Sequence, residues 1–374
     1  MNVIFTCGGT GGHINPAIAV ANTLRERHPD CKILFIGAEG EMEERLVPKA
    51  GYELRGLPSS NLRRSLSWDG IRHNVRGAKK ILSALKQCKV ILREFQPDVV
   101  VGTGGYASFP ALYEAAKMGI PTCVHESNAV PGLATKLVAK RADRILVNYA
   151  ECADRYPDPG KVQVVGMPVD KGFVFTDREE ARKELGLDQR PLVVSAFGSL
   201  GARDMNKVIA EVFRLERDAL LPWQHIHATG RFGWEWMPEY VKNQGVDLKA
   251  CPGIDMREYI YNMPTLMAAA DVIISRAGAA SCNEIAAAGL PCIMIPSPNV
   301  TAHHQERNAQ VMADRGAVVL LPEPECTGKR LFDEIDGLLR DPFRRQEMSK
   351  ALRRSVILDS TDRICDIIEE LAKK

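Results

Sequence analysis

The chain has 374 residues, which is longer than a chain that a single hydrophobic core usually stabilises. This length predicts two domains. Its composition, 45% hydrophobic and 26% charged, excludes a largely disordered or fibrous protein. The formal net charge is only +2, so nonspecific binding to nucleic acid is not expected.

The ten cysteines include no C-x-x-C pair, so the sequence indicates neither a zinc site nor a disulfide framework. The apolar run at the N-terminus is short, lacks basic residues and is interrupted by glycines, unlike a secretory signal. No stretch reaches the roughly 18 apolar residues that a spanning helix needs. We therefore expect a cytoplasmic chain with reduced thiols.

Short apolar runs alternate with longer amphipathic segments along the first half of the chain. The predicted elements are, in order, a strand at NVIFT, a helix near 16–27, strands at KILFIG and PDVVVG, a helix near 109–118, and strands at PTCVHE and RILVN. Unbroken apolar runs of this kind are typical of parallel strands that are buried on both faces.

The same pattern restarts after KVQVVGMPVD. Its predicted segments are PLVVSAFGSLGAR, HIHATG, DLKACPG, ADVIISRAGAASCNEIAAAG, PCIMIPSP and AVVLL. The sequence therefore predicts an α/β protein with two Rossmann-like, doubly wound domains, residues 1–168 and 169–355. A last helix is predicted within 356–374. Its sequence pattern does not indicate which domain it packs against, and one option is that it packs back on the N-terminal domain.

Four glycine-rich turns follow predicted strands, two in each half: GGTGGH, GTGGYASFP, GSLGAR and SRAGAASC. In open parallel sheets, ligands bind outside the carboxyl ends of the strands, where such turns and helix N-termini present N–H groups to an anion. Two sheets with these edges opposed would form an interdomain cleft for two substrates. That is the layout of a transferase.

The first turn, CGGTGGHINP, matches neither common nucleotide motif. The dinucleotide pattern G-x-G-x-x-G would need glycine at Ile14, and the only candidate for a phosphate-binding G-K-[ST] continues into Arg330. One interpretation is a turn that approaches a diphosphate or a sugar, with the pKa of His13 lowered by the helix dipole so that the ring can accept a proton. The other is a tight strand–helix turn with a capping histidine.

The ordered set GGTGGH, GTGGYASFP, HESN, GSLGAR, SRAGAASCNEIAAAGLP and HHQERNA closely resembles the MurG family over nearly the whole chain. The resemblance implies a GT-B fold and an inverting transfer of N-acetylglucosamine (GlcNAc) from UDP-GlcNAc to the muramoyl C4 hydroxyl of lipid I, giving β(1→4)-linked lipid II. It thereby implies a bacterial role in peptidoglycan and cell-wall synthesis, cell shape and cell division.

By this resemblance the second half holds the donor. Ser199 would contact the UDP phosphates, the Ile260 backbone would read the uracil edge, and Glu284 would accept hydrogen bonds from the ribose. The rest of this donor set is Met263, Ala279, Ala280, Ser281, Cys282, Asn283 and, on the GlcNAc hydroxyls, Gln305. The plainer alternatives are an N-cap serine, core positions for Ile260 and Met263, and an exposed helix glutamate.

Two positions depart from the family pattern. His304 stands where some members have a second glutamine, and Asp170 stands where the family commonly has arginine. The diphosphate contact of that arginine would be absent or supplied by another residue, such as Arg203 or Arg276.

The first half would bind lipid I. The residues that would frame its pyrophosphate are Thr10, Gly11, Gly12, Gly104, Gly105 and Tyr106, of which the first three are also assigned to the donor. Glu126 and Asn128 would reach the muramoyl sugar or the donor. His13 is the first choice for the base that deprotonates the acceptor, and Glu126 is the second.

No metal site or cofactor is expected, since the chain has no D-x-D motif, and Mg²⁺ is expected at most to stimulate. Residues 61–95 carry nine Lys or Arg against two acids, interleaved with apolar residues. The stretch predicts peripheral docking on the anionic inner leaflet, at the cytoplasmic face of the cell membrane. A solvated helix face is the alternative. Cell-wall synthesis proteins are further candidate partners.

Three competing functions remain open at this point. The chain could be a GT-B transferase with another lipid or a small acceptor, or an enzyme of the UDP-GlcNAc epimerase kind. It could also be a nucleotide-sugar-binding or scaffolding subunit, which would need no residue like His13.

Overall fold

The computed structural model describes residues 1–58, 68–300 and 303–373, with the backbone alone for residues 68–76 and 78. The chain divides into unit 1, Met1–Val169 with Ile357–Lys374, and unit 2, Asp170–Val356. The boundaries expected from the sequence each differ from these by one residue.

Each unit is built on one parallel sheet. In unit 1 the described strands are β1 (Asn2–Thr6), β2 (Lys32–Ala38), β3 (Glu53–Leu57), β4 (Val99–Gly102), β5 (Thr122–Glu126), β6 (Arg144–Val147) and β7 (Val162–Val164), in the order β3-β2-β1-β4-β5-β6-β7. In unit 2 they are β8 (Leu192–Ala196), β9 (Gln224–Ala228), β10 (Ile254–Arg257), β11 (Val272–Ser275), β12 (Cys292–Met294) and β13 (Val319–Leu320), in the order β10-β9-β8-β11-β12-β13.

Helices connect the strands. They are α1 (Gly11–Arg27), α2 (Glu43–Lys49), α3 (Trp68–Phe95), α4 (Ser108–Lys117), α5 (Leu133–Ala139), α6 (Gly172–Phe175), α7 (Arg178–Glu184), α8 (Arg203–Asp218), α9 (Arg231–Trp234), α10 (Met237–Asn243), α11 (Met263–Ala269), α12 (Ala279–Ala288), α13 (His304–Asp314), α14 (Gly328–Arg340), α15 (Pro342–Ser355) and α16 (Ser360–Leu371). The prediction of two doubly wound α/β halves is confirmed.

Both faces of each sheet are covered, which explains the unbroken apolar runs. In β1, Val3 and Phe5 point into one core cluster of unit 1, and Ile4 between them points into the other. In β8, Val193 faces one cluster of unit 2 while Val194 faces the other. Alternating side chains therefore bury both sides of the same strand.

Helix α16 belongs to unit 1 and packs against α1. Its residues Ile364 and Ile368 are buried in the cluster that holds Leu24 of α1. At the surface, the Arg27 guanidinium donates to Asp362 and Asp366 at 2.7 and 2.6 Å. An apolar helix face needs a partner, and α1 supplies it although the intervening chain forms unit 2.

Two elements differ from the sequence-based expectation. Helix α1 begins at Gly11 instead of near 16, because the Thr10 carbonyl already accepts the N–H groups of His13 and Ile14. The predicted segment DLKACPG, residues 247–253, forms no strand. The Asp247 carboxylate accepts the Lys249 N–H and forms a turn there, and β10 starts only at Ile254.

The predicted membrane-contacting stretch, 61–95, is described in part. Residues 61–67 lie outside the described residues, as do the side chains of residues 68–76 and 78. The backbone of residues 68–95 forms α3. No helix among the described residues combines the length and the apolar character that crossing a bilayer requires.

Candidate functional site

In unit 1 the chain leaves β1 toward β2 on one side of the sheet and later returns to β4 on the other side. Such a switch point opens a crevice at the carboxyl ends of the two strands. The loops that emerge there are residues 7–10 and 103–107. They bring the predicted acceptor residues Gly104, Gly105 and Tyr106 next to the Thr10–His13 turn.

These two loops pack so closely that glycine is required. A Cβ on Gly105 would lie 2.2 Å from the carbonyl oxygen of Gly8, and one on Gly104 would lie 2.7 Å from His13 Nδ1. Both glycines also have positive φ, +82° and +104°. The glycines of the second loop therefore accommodate the first loop and the His13 ring.

Thr103 holds His13 from two sides. The ring atom Nδ1 lies 3.1 Å from the Thr103 carbonyl oxygen, and the Thr103 hydroxyl donates to the His13 carbonyl at 2.6 Å. A carbonyl can only accept, so Nδ1 carries the proton and Nε2 is the acceptor nitrogen of the neutral ring. This tautomer suits a general base.

The N-terminus of α1 presents backbone donors beside this histidine. Thr10 is the N-cap, but its side chain makes no capping hydrogen bond. The N–H of His13 bonds to Thr10, whereas Gly11 and Gly12 are among the first amides of a helix, which have no intrahelical acceptor. An anion is the natural partner for such amides.

Glu126 orders a loop. It is 3% exposed at the end of β5, its Oε1 accepts the Asn128 N–H and side-chain amide at 3.0 and 3.1 Å, and its Oε2 accepts the Gly132 N–H at 2.9 Å. Both oxygens are occupied within unit 1, which favours His13 over Glu126 as the base. Asn128 is half-buried and lies at the surface of this loop.

Unit 2 has its own switch point, between β8 and β11. Helix α8 begins after the first strand and α12 after the second, and neither N-cap, Ala202 or Gly278, makes a side-chain capping hydrogen bond. Two uncapped N-termini at one sheet edge suit a diphosphate.

Ser199 is exposed in the loop before α8. It is not the N-cap, because the helix begins at Arg203 and Ala202 takes that position. The loop is seated by glycine: a Cβ on Gly201 would lie 2.1 Å from the Thr229 carbonyl oxygen, and the Ser199 carbonyl accepts the Arg231 N–H at 3.1 Å. The loop that carries Ser199 thus packs against residues 229–231.

Helix α12 divides the predicted run 279–284 into two sets. Ala279, Ala280 and Ser281 are partly exposed. Cys282 is buried against Met294, with 3.9 Å between the sulfurs, and buried Asn283 donates back to the Ala279 carbonyl at 2.8 Å. The side chains of Cys282 and Asn283 therefore pack inward, and only their backbone could serve a ligand.

Glu284 is partly exposed, and within the described residues no hydrogen bond or ion pair engages its carboxylate. Burial, with the nearby negative charge of Asp170, raises the pKa of Glu284 to about 7. Asp170 is exposed and accepts the Gly172 N–H at 2.7 Å. A carboxylate held without a donor can accept hydrogen bonds from two hydroxyls of a ligand.

The remaining donor candidates lie on neighbouring loops. The side chains of Ile260 and Met263 pack in or against the core of unit 2, and no backbone hydrogen bond of Ile260 is present within the described part of the chain. Gln305 accepts the Ser297 N–H through Oε1 at 2.9 Å, which leaves its NH₂ group to donate. His304, just before it, is partly exposed at the start of α13.

The two arginines that could replace the missing one differ in their surroundings. Arg276 donates to the Ile295 carbonyl and is ion-paired with Glu323. Arg203 is exposed at the first position of α8, where its guanidinium lies 5.7 Å from the Trp236 ring centroid. Arg203 therefore has its charge available to a diphosphate, and Arg276 does not.

The sequence did not single out Thr103, Glu41 or Glu43, which contact the two loops of this site. Thr103 lies inside the quoted GTGGYASFP stretch, but only the structure shows that it holds His13. Glu43 and Glu41 stand in EGEMEER, which looks like an ordinary solvated charge run. No group of three or more His, Cys, Asp or Glu side chains is placed to hold a metal ion in the described parts of the chain.

Comparison with known proteins identifies the family. Residues 3–147 match the glycosyltransferase family 28 N-terminal domain, and residues 192–364 match its C-terminal domain. The crystal structure of Acinetobacter baumannii MurG superposes with a TM-score of 0.78 at 25% identity, covering 99% of each chain. An Acetivibrio thermocellus relative named UDP-N-acetylglucosamine–N-acetylmuramyl-(pentapeptide) pyrophosphoryl-undecaprenol N-acetylglucosamine transferase is 38% identical over 374 residues, covering 100% of this chain and 99% of the relative. This chain belongs to the MurG family.

The resemblance to the MurG family that the motifs indicated is thereby confirmed, and with it the GT-B class of fold. A UDP-GlcNAc 2-epimerase from Neisseria meningitidis also superposes over 100% of both chains, with a TM-score of 0.67. Its identity to this chain is 14%, so that likeness shows the fold alone. The MurG family assignment rests on the full-length relatives.

Proposed function

We propose that this chain transfers GlcNAc from UDP-GlcNAc to the C4 hydroxyl of the muramoyl sugar of lipid I, forming β(1→4)-linked lipid II. The observation that carries the proposal is full-length identity of 38% to a relative whose name states this donor and this acceptor. Peptidoglycan synthesis, and through it cell shape and division, would be the biological role.

Unit 2 would bind the donor. The uncapped N-termini of α8 and α12, with Arg203, would face the diphosphate and stabilise the negative charge that it gains as it leaves. Glu284 would accept from the ribose hydroxyls, Ile260 would offer its backbone to the uracil, and the Gln305 amide would donate to the GlcNAc hydroxyls. Asp170 leaves the phosphate contact of the usual arginine to Arg203.

Unit 1 would bind lipid I, with its pyrophosphate at the Gly11 and Gly12 amides. Nε2 of His13 would remove the proton of the C4 hydroxyl while that oxygen forms a bond to C1 of GlcNAc and the bond from C1 to the UDP oxygen breaks. Attack from the face opposite the leaving group converts the α-linked donor into a β-linked product. Thr103 would keep the ring in the required tautomer.

The chemistry in this proposal uses helix dipoles, backbone amides and one arginine. No cofactor is part of it. Added Mg²⁺ would at most increase the rate by screening the diphosphate charge.

The described part of α3 supports docking at the cytoplasmic face of the membrane. Its inner face buries Ala84, Cys88 and Leu92, whereas Leu82 and Val90 are 60% and 54% exposed. The exposed lysines around them are Lys79, Lys80, Lys86 and Lys89. Apolar side chains within a basic surface are typical of peripheral binding to an anionic leaflet, where lipid I would be presented.

The test is UDP release from UDP-GlcNAc by the purified full-length chain, with and without a soluble lipid I analogue. We expect release that depends on the acceptor, and a disaccharide product with a β(1→4) linkage. Loss of UDP-GlcNAc without acceptor, which has to be followed separately because epimerisation need not release UDP, would instead indicate an epimerase. Donor binding without turnover would indicate another acceptor or a binding role.

A further inference from the structure

Glu43, the first residue of α2, is a buried carboxylate beneath the glycine turn of unit 1. Its residue is 0% exposed. Oε1 accepts two backbone N–H groups, from Gly9 at 3.1 Å and from Ala38 at 3.2 Å. One oxygen thus joins the turn that follows β1 to the end of β2.

The surrounding backbone is shaped to admit this side chain. A Cβ on Gly8 would lie 2.7 Å from Glu43 Oε1, and a Cβ on Gly37 would lie 2.9 Å from Glu43 Cγ. A Cβ at either position would force the Glu43 side chain to shift, and one at Gly8 would also lie 2.5 Å from the Cβ of Ala107. The glycines at 8 and 37 therefore serve Glu43 as well as the turn.

The same segment also reaches the second acceptor loop. Glu41 Oε1 accepts the Tyr106 hydroxyl at 3.2 Å. The Tyr106 ring is close to the turn, because a Cβ on Gly9 would lie 3.3 Å from its Cε1. Residues 41–43 therefore contact both loops that frame the predicted pyrophosphate site.

The hydrogen bond from the Gly9 N–H to Glu43 indicates which backbone N–H groups of the turn remain for a ligand. Because the Gly9 N–H points to Glu43, it is not directed at a ligand, and the amides of Gly11 and Gly12 remain for an anion. The second oxygen of Glu43, Oε2, has no hydrogen-bond partner within the described residues. The two N–H bonds at Oε1 are thus the polar contacts that hold this carboxylate under the loop.

We propose that Glu43 is a positioning residue for the acceptor: by holding the Gly9 amide it sets the turn that directs the Gly11 and Gly12 amides and His13 toward the acceptor pyrophosphate and sugar. The proposal rests on the proposed function for the identity of that acceptor. Glu43 does not touch the reacting atoms, so it acts through the loop.

Steady-state kinetics of three variants test it, with a soluble lipid I analogue as acceptor. In Glu43→Ala we expect the acceptor KM to rise at least tenfold while the donor KM stays within twofold of the wild type. Glu43→Gln keeps an accepting oxygen and should restore the acceptor KM to within about threefold. Glu44→Ala is the matched control and should behave as the wild type, since Glu44 is exposed and, among the described residues, accepts a hydrogen bond only from the Gly40 N–H.

A role limited to folding would lower the thermal midpoint without separating the two KM values, and that result would overturn the proposal, as would an equal rise in both. If Glu43→Ala does not fold, Glu43→Asp replaces it, because the shorter side chain cannot reach both amides. Hydrogen exchange of residues 7–13 gives a readout without acceptor. Hydrogen exchange of this turn should accelerate in Glu43→Ala and not in Glu44→Ala, and unchanged exchange in Glu43→Ala would contradict the proposal. This readout does not depend on transfer activity. A wild type that transfers no GlcNAc would refute only the proposed function.

Discussion

Nδ1 of His13 lies 3.1 Å from the carbonyl oxygen of Thr103, and the Thr103 hydroxyl donates to the His13 carbonyl at 2.6 Å. This reciprocal pair joins the loops that follow β1 and β4, the two strands at the switch point of unit 1. It fixes both the orientation of the His13 ring and its tautomer. The glycine-rich turn therefore places the histidine in the first turn of α1 in a defined orientation.

Replacing His13 should remove the proposed general base. In His13→Ala we expect kcat to fall by about 10²–10⁴-fold, the usual contribution of a general base, with the donor KM within threefold of the wild type. Glu126→Gln is the comparison, because the carboxylate of Glu126 is occupied by its own loop. If Glu126→Gln lost as much kcat as His13→Ala, or more, the base would have to be reassigned.

Gly104 is predicted to be required for activity, because the His13 ring lies where a side chain at position 104 would stand. An alanine Cβ there would meet His13 Nδ1 at 2.7 Å, in a backbone with φ of +104°. Gly119 provides the matched control, since it also has positive φ, +76°, but open space around the Cβ position. Both alanine variants should lose about 1 kcal/mol of folding stability from the backbone. Only Gly104→Ala should lower kcat tenfold or more; equal activities would show that the ring does not need this space.

Donor binding should depend on pH through Glu284. Its pKa is raised to about 7 by burial and by Asp170, so the carboxylate that would accept hydrogen bonds from the ribose hydroxyls becomes protonated as pH falls through about 7. The UDP-GlcNAc Kd should therefore rise on acidification from pH 8 to 6. Asp170→Asn should move this midpoint to lower pH, and Glu284→Gln should abolish it. A midpoint that is the same in Asp170→Asn would exclude the charge of Asp170 as a cause.

The raised pKa of Glu284 should make folding stability change with pH in the direction opposite to that of donor binding. The ordinary pKa of a glutamate, 4.5, applies to the unfolded chain, so between pH 4.5 and about 7 the folded state binds more protons than the unfolded state. Stability should therefore decline as pH rises through this window, by an amount on the order of 2 kcal/mol. Urea unfolding of wild type and Glu284→Gln at pH 5 and 7.5 measures it, and only the wild type should show this contribution.

The two arginines near the donor edge should give different phenotypes. Arg203→Ala removes an exposed charge at the first turn of α8 and should weaken UDP binding by about tenfold, as expected for a charge-assisted hydrogen bond. Arg276→Ala leaves Glu323 half-buried without its partner and should chiefly lower the thermal midpoint. Calorimetric titration with UDP distinguishes them, and a larger loss of affinity in Arg276→Ala would reverse the assignment.

The sequence predicted most of the strands, because apolar runs such as VVVG and VIIS leave few alternatives to a buried parallel strand. It did not predict where α1 begins, since that depends on which amides the Thr10 carbonyl accepts. Motif matching also placed Cys282 and Asn283 on the donor, although the turn of α12 directs both side chains inward. Direction around a helix follows from tertiary packing, which a motif does not encode.

Glu43 illustrates the same limit from the other side. In EGEMEER nothing distinguishes it from Glu41 or Glu44, yet it is fully buried while Glu44 is exposed. The difference arises because Gly8, far from Glu43 in sequence, and Gly37, on the preceding strand β2, have no Cβ and so leave space for this one carboxylate. Long-range steric complementarity of this kind requires the structure.

Membrane docking through α3 should be electrostatic as well as apolar. Reversing two exposed lysines together, Lys86→Glu with Lys89→Glu, should reduce binding to vesicles of anionic lipid by at least tenfold, since each basic residue near such a surface contributes about 1 kcal/mol. Lys183→Glu with Lys242→Glu changes the net charge equally, but at exposed positions of unit 2, and should leave binding within twofold. Sedimentation with anionic and zwitterionic vesicles at low and physiological salt measures both pairs. Turnover of a soluble acceptor analogue should be unaffected in either, because neither pair lies at the candidate site. Equal losses of vesicle binding in the two pairs would mean that net charge, and not the α3 surface, governs the attraction.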